Sequence, residues 1–100
     1  MHINIYHREP DTVLAPQGRI DTLSSPKFEE ALTPLVTTQD FNLVIDFAGV
    51  DYISSAGLRV LLIGAQKAKG LNGNLVLENL NESVKQVLDI TGFTPLFNIR

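Results

Sequence analysis

Apolar and polar residues alternate from His2 to His7 (HINIYH), with Ile3 and Ile5 on one face, and this period of two predicts a short strand. Pro10-Asp11 is a turn signal. Thr12 to Gln17 then reads as a second strand, so the chain is expected to open as a β-hairpin, with Gly18-Arg19-Ile20-Asp21 continuing or closing its second arm.

The period then changes. Ser24-Ser25-Pro26 is a helix start in which Ser25 is the expected N-cap and Pro26 the first helical residue. Phe28, Ala31, Leu32 and Leu35 follow at helical spacing on one face, and Pro34 is expected to kink or end the helix near residue 33. Phe41 to Phe47 (FNLVIDF) is an almost unbroken apolar run rich in β-formers, the pattern of a strand covered on both faces.

A helix from about Ser55 to Lys69 comes next, with Gly70 as its expected C-cap. Asn74 to Glu78 (NLVLE) is a further strand, so strand, helix and strand form a right-handed βαβ crossover. Asn81 caps a last helix that runs to about Ile90, with Val84, Val87 and Leu88 inward and Gly92 beyond its end. Pro95 to Ile99 is a final strand. The expected architecture is one α/β domain over residues 1–100, with a mixed sheet of four to five strands, about three helices and an N-terminal hairpin.

Composition narrows the function more than the fold. One hundred residues with 44% apolar content suit one domain with a real core. A net charge of −3 argues against non-specific nucleic-acid binding, which requires clustered Lys and Arg. The absence of cysteine removes disulfides, Cys-ligated zinc and thiol chemistry. The start MHINIYHREPDT lacks a basic segment followed by an apolar one, so no secretory signal is expected. The longest apolar block, Val60 to Ala65, falls far short of the roughly 20 residues that cross a bilayer. A cytoplasmic domain without cofactor or metal is expected.

The stretch VDYISSAGLR, from Val50 to Arg59, holds the candidate chemistry. Ser54 and Ser55 stand where a strand hands over to a helix, followed by the small residues Ala56 and Gly57. One reading makes Ser54 an ordinary N-cap and Ser55 a first-turn residue with no further role. The other is electrostatic: a helix N-terminus carries about half a positive charge and unpaired amides, so a phosphate on Ser55 is tolerated there while the surface charge changes by about −1.5 to −2. At about 100° per residue, Leu58, Leu61, Leu62, Ala65 and Ala68 share the core face of this helix. Val60 and Ile63 fall roughly opposite, beside Lys67 and near Arg59; they form either a contact surface or a face covered by a neighbouring element.

Together these residues resemble the STAS family of sulfate-transporter and anti-sigma-factor-antagonist domains. The resemblance runs through Gly18-Arg19-Ile20-Asp21, the apolar strand ending in Asp46, Val50 to Arg59, the strand entry Gly73-Asn74-Leu75, and Ile90-Thr91-Gly92-Phe93. In free-standing bacterial members, an anti-sigma factor with serine-kinase activity phosphorylates a serine within D-S-[ST]-G-L. The residue-for-residue match makes Ser55 that acceptor, and Ser54, which replaces the acidic residue before it, a rival acceptor. Asp21 matches an aspartate near the same surface. The contact surface so implied comprises Asp21, Ser54, Ala56, Gly57, Arg59, Val60 and Ile63. Many members add a helix beyond the last strand, where this chain stops.

The resemblance implies an anti-sigma factor antagonist working by partner switching. Its partners are a serine-kinase anti-sigma factor and a phosphoserine phosphatase, without nucleic acid or membrane insertion. The alternative within the family is an interaction subunit of a transporter or stress-sensing assembly that does not switch.

Other classes fit less well. The G-x-S-x-G elbow of hydrolases is absent, and His2 and His7 both precede Ser55, so no catalytic residues are expected. Asp46 ends a buried strand as a receiver phospho-acceptor does, yet the first strand lacks the acidic cluster and following helix of receivers; Asp46 is expected to cap the loop before Ala48-Gly49. Gly70 and Gly73 flank a turn without the lysine-serine pattern of a phosphate loop.

Overall fold

The computed structural model describes residues Met1–Arg100. Six strands form a mixed sheet: β1 (His2–Arg8), β2 (Asp11–Ile20), β3 (Asn42–Asp46), β4 (Val50–Ile53), β5 (Asn74–Glu78) and β6 (Asn98–Ile99). Their order is β1-β2-β3-β5-β6, with β4 pairing with β2 beside this path. Three α-helices accompany them: α1 (Ser25–Leu32), α2 (Ser55–Gly70) and α3 (Glu82–Thr91).

The predicted hairpin is present, with β1 antiparallel to β2 in a register that sets Ile5 opposite Leu14 and Tyr6 opposite Val13. β2 then changes partner. Its first half runs parallel to β3, with Leu14 opposite Ile45, and its last residues run parallel to β4, with Ile20 opposite Ile53. The change occurs at Gly18, whose φ of +102° is open to glycine and whose amide donates to the Gly49 carbonyl at 2.8 Å.

β4 is a correction to the sequence reading, which passed from the strand at Phe41–Phe47 straight to the helix and counted four to five strands. Four residues cannot show a periodicity that stands out. Val50 and Ile53 are nonetheless buried, and the strand exists because β2 bends at Gly18 to offer it a free edge.

The helix ends carry smaller corrections. Ser24, not Ser25, occupies the N-cap position of α1, and Ser25 is buried in the first turn. Its hydroxyl donates to the Asp21 carbonyl. The end of α1 needs no correction: it stops at Leu32, next to the expected residue 33, and Pro34 lies in a 3-10 turn over Thr33–Val36. Gly70 is still helical; Leu71 is the C-cap of α2, and the left-handed residue beyond it is Asn72 (φ +53°). Thr94–Leu96 is a 3-10 turn around Pro95, so β6 is only Asn98–Ile99. Asn81 and Gly92 bound α3 as read: the Asn81 side chain accepts from the Val84 amide at 2.8 Å.

The main core lies where the helices meet the sheet. Leu14, Leu43, Ile45 and Leu77 of the strands pack in one cluster with Phe28, Leu32, Leu61, Val84 and Leu88 of the helices. β3 is buried on both faces, since Val44 joins Val13 and Val76 in a separate row on the opposite side. Ion pairs span the sheet between non-adjacent strands: Arg8 of β1 reaches Glu78 of β5 at 3.0 Å, and Arg100, just after β6, reaches Asp11 of β2 at 3.7 Å.

Candidate functional site

β4 delivers the chain to α2 through Ser54, which is extended (φ −91°, ψ 174°) and half-buried. Its amide donates to the Ile20 carbonyl at 2.8 Å, and its hydroxyl accepts from the Gly57 amide at 3.3 Å. Ser54 is therefore the N-cap read from the sequence, bonded on one side to β2 and on the other to α2. Ser55 is the first helical residue and is exposed.

The helix end contributes a positive field at this point, with the carboxylate of Glu29 on the facing wall of the cleft. The 16-residue α2 has no acidic residue in its first turn, and the amides of Ser55 and Ala56 have no acceptor within the helix. Arg59, one turn on from Ser55, is exposed on the same side. An anion on Ser55 would meet the helix dipole and a guanidinium before any carboxylate of its own helix turn.

Beside Ser55 lies an open cleft of about 460 Å³ between the starts of α1 and α2. Thr22, Ser25, Pro26 and Glu29 form one wall; Ser55, Ala56, Arg59 and Val60 form the other. A smaller groove of about 40 Å³ continues it along α2 past Ile63 and Lys67, sharing Glu29 and Val60.

The loop joining β2 to α1 closes the rim. Asp21 Oδ1 accepts from the Leu23 amide at 3.1 Å and the Ser24 amide at 3.0 Å. The Ser24 hydroxyl accepts from the Asp21 amide at 2.9 Å and donates to the Arg19 carbonyl at 2.6 Å. Arg19 approaches Asp21 Oδ2 at 3.8 Å and lies over the Tyr52 ring, 4.4 Å from its centroid. The Ser24 amide is the main cause that holds the Asp21 carboxyl below its ordinary range; partial desolvation opposes it, and the Ser24 hydroxyl, the Leu23 amide and Arg19 add to the lowering.

The structure brings most of the expected contact residues together around Ser55 and removes two from the surface. Val60, which the sequence left as either contact surface or covered face, is only 7% exposed, because α1 from Glu29 and the 3-10 turn that follows it to Val36 pack along that side of α2; it lines the cleft and does not stand on the surface. Gly57 is buried against the ends of β2 and β4, and a Cβ there would stand 2.6 Å from Ile20 Cγ2. Its role is close packing. Arg59 is exposed, Ile63 is 38% exposed and Ala56 is half-buried.

Sequence reasoning missed Thr22, Leu23 and Glu29. Leu23 carried one signal, as an apolar residue outside every helical or strand period, and it is 92% exposed.

The residues of the rival readings are engaged elsewhere. Asp46 Oδ1 accepts from the Ala48 amide at 2.9 Å, the capping role expected of it, and from Asn79 Nδ2 at 3.0 Å. His2 pairs with Asn4 and His7 with Thr12, both on the hairpin and outside the cleft. No three His, Asp or Glu side chains converge as metal ligands, and no helix is long and apolar enough to cross a membrane.

The family model described as STAS domain matches residues 2–100. The chain belongs to the STAS family. Among bacterial STAS relatives, the anti-sigma-B factor antagonist of Bacillus subtilis is 33% identical over 99 residues, covering 99% of this chain and 90% of the relative. Solved structures share the fold. An anti-sigma factor antagonist from Mycobacterium paratuberculosis superposes with a TM-score of 0.82 at 23% identity, over 98% of this chain and 83% of the other. The Bacillus cell fate determinant SpoIIAA in its phosphorylated form superposes with a TM-score of 0.71 at 13% identity, over 99% and 91%. The six-stranded mixed sheet with three helices is thus a STAS fold.

Proposed function

We propose that this STAS protein is an anti-sigma factor antagonist that binds a serine-kinase anti-sigma factor over the tip of α2 and is released when that kinase phosphorylates Ser55. The observation that carries the reading is the division of labour between the two serines: Ser54 caps the helix and Ser55 stands exposed at its first position. Ser55 is accordingly the acceptor, and Ser54 the residue that presents it. Asp21, Ala56, Arg59 and Ile63 are contact residues in this reading, with Val60 in the cleft wall.

The antagonist named for the Bacillus subtilis relative and the phosphorylated state of SpoIIAA support the same role. Binding would free a sigma factor in the cytoplasm; phosphorylation would end the complex, and a phosphoserine phosphatase would restore it. The protein acts here as substrate and binder, with no catalysis of its own. One added charge about 5 Å from a partner carboxylate costs roughly 3 kcal/mol at an effective dielectric near 20, on the order of a hundredfold in affinity. The fold need not move.

The test incubates the protein with each anti-sigma kinase of its host and ATP, then locates phosphate by mass spectrometry. Phosphate is expected on Ser55, retained in Ser54→Ala and lost in Ser55→Ala; Ser55→Asp is expected to weaken binding of the kinase and Ser55→Ala to preserve it. Equal affinities for the two variants would remove the switch.

A further inference from the structure

We infer that Leu23 is the apolar anchor by which the serine-kinase anti-sigma factor grips this protein, the partner supplying an apolar socket next to its active site. The inference rests on the reading of Ser55 given above and adds to it a residue that neither the sequence nor the relatives single out.

Leu23 is 92% exposed, the most open of the large apolar side chains. Single exposed leucines are common, but this one differs in being held. Its backbone amide is bonded to Asp21 Oδ1 at 3.1 Å, the next amide to the same oxygen at 3.0 Å, and the Ser24 hydroxyl ties the turn back to the Arg19 carbonyl at 2.6 Å. The loop is therefore fixed before any partner arrives, and an anchor on a fixed loop loses little backbone freedom on binding. Apolar anchors seated in partner pockets carry much of the affinity of such interfaces.

Geometry selects the occupant. Thr22, the neighbour of Leu23, lines the same cleft as Ser55, and Ile20, three residues before Leu23, accepts the Ser54 amide at 2.8 Å. A standard interface hides about 800 Å² on each partner, a disc of roughly 16 Å radius. A kinase whose active site closes on Ser55 also meets Thr22 across the shared cleft, which sets the adjoining Leu23 within reach of its footprint. A partner that extends over it either buries this leucine or leaves a bare apolar side chain trapped in its interface. The groove that continues past Ile63 extends the same surface along α2.

Calorimetric titration of each host anti-sigma kinase with ADP, which permits binding without phosphate transfer, tests the assignment. The proteins compared are wild type, Leu23→Ala, Leu23→Met, Ser55→Asp and, as a matched exposed side chain on α3, Ile90→Ala. Leu23→Ala is expected to weaken binding at least tenfold with an unchanged melting temperature, Leu23→Met to stay within about threefold, and Ile90→Ala to bind as wild type. If Leu23→Ala binds like wild type while Ser55→Asp still weakens the complex, the anchor is wrong and the switch stands. An equal loss with Ile90→Ala would mean general apolar attraction and would also overturn the anchor. If no host kinase binds the wild-type protein, the switch reading fails and the anchor with it.

Discussion

Gly57 and Ile20 lie so close that a Cβ on the glycine would stand 2.6 Å from Ile20 Cγ2, with Ile53 Cγ1 only 2.8 Å away. This contact presses the first turn of α2 onto the ends of β2 and β4, and so sets the height at which Ser55 stands above the sheet. Gly57→Ala is expected to destabilise the protein. A β-branched neighbour has little rotamer freedom to move aside, and overpacking of about 1–3 kcal/mol outweighs the ~1 kcal/mol that alanine gains in a helix. Thermal denaturation checks this; a melting temperature at or above that of wild type would contradict it.

Ser54 holds the helix end from the other direction. Ser54→Ala removes the acceptor of the Gly57 amide and is expected to cost about 0.5–1 kcal/mol, the lower part of the range for a lost cap because the bond is 3.3 Å long. Ser54→Asp keeps an acceptor and adds a charge favourable to the dipole, so it should melt at or above the wild-type temperature. Urea denaturation of both variants separates the cap from any other role of the serine.

Asp21 ties acid stability to the rim of the site. Its carboxyl is lowered in the folded state, first by the Ser24 amide, so the unfolded chain binds a proton more readily than the folded one. The stabilisation is present above the unfolded value, about pH 4, and is lost as pH falls through the lower folded value. Asp21→Asn retains an acceptor for the loop amides but cannot titrate. Its melting temperature should fall less steeply than that of wild type as pH drops below about 4, and parallel curves would refute the assignment.

Val60 and Ile63 give a direct comparison of two positions on one helix. Val60→Ala deletes two buried methyl groups and is expected to cost about 1.5 kcal/mol. Ile63, 38% exposed, should tolerate alanine within about 0.5 kcal/mol. Chemical denaturation of the pair decides whether α1 covers the outer face of α2 at Val60, and equal losses would contradict that packing.

Much of this protein was legible in its sequence because the signals are local. Period two in the hairpin, helical spacing in α1 and α3, the unbroken apolar run of β3, and the caps Ser54 and Asn81 each depend on a few neighbouring residues, and the structure keeps them. The stretch Val50 to Arg59 was equally local, and it led to the STAS family that residues 2–100 match. Tertiary structure decided the rest. Helical angles state which side chains share a face but not what lies against it, so only the packing of α1 along α2 could bury Val60. β4 is too short to declare itself and exists because β2 turns away from β3 at Gly18 and offers it an edge. Leu23 belongs to no period; local bonds among Arg19, Asp21 and Ser24 hold its loop, but that no other element covers its side chain is decided only by the folded chain.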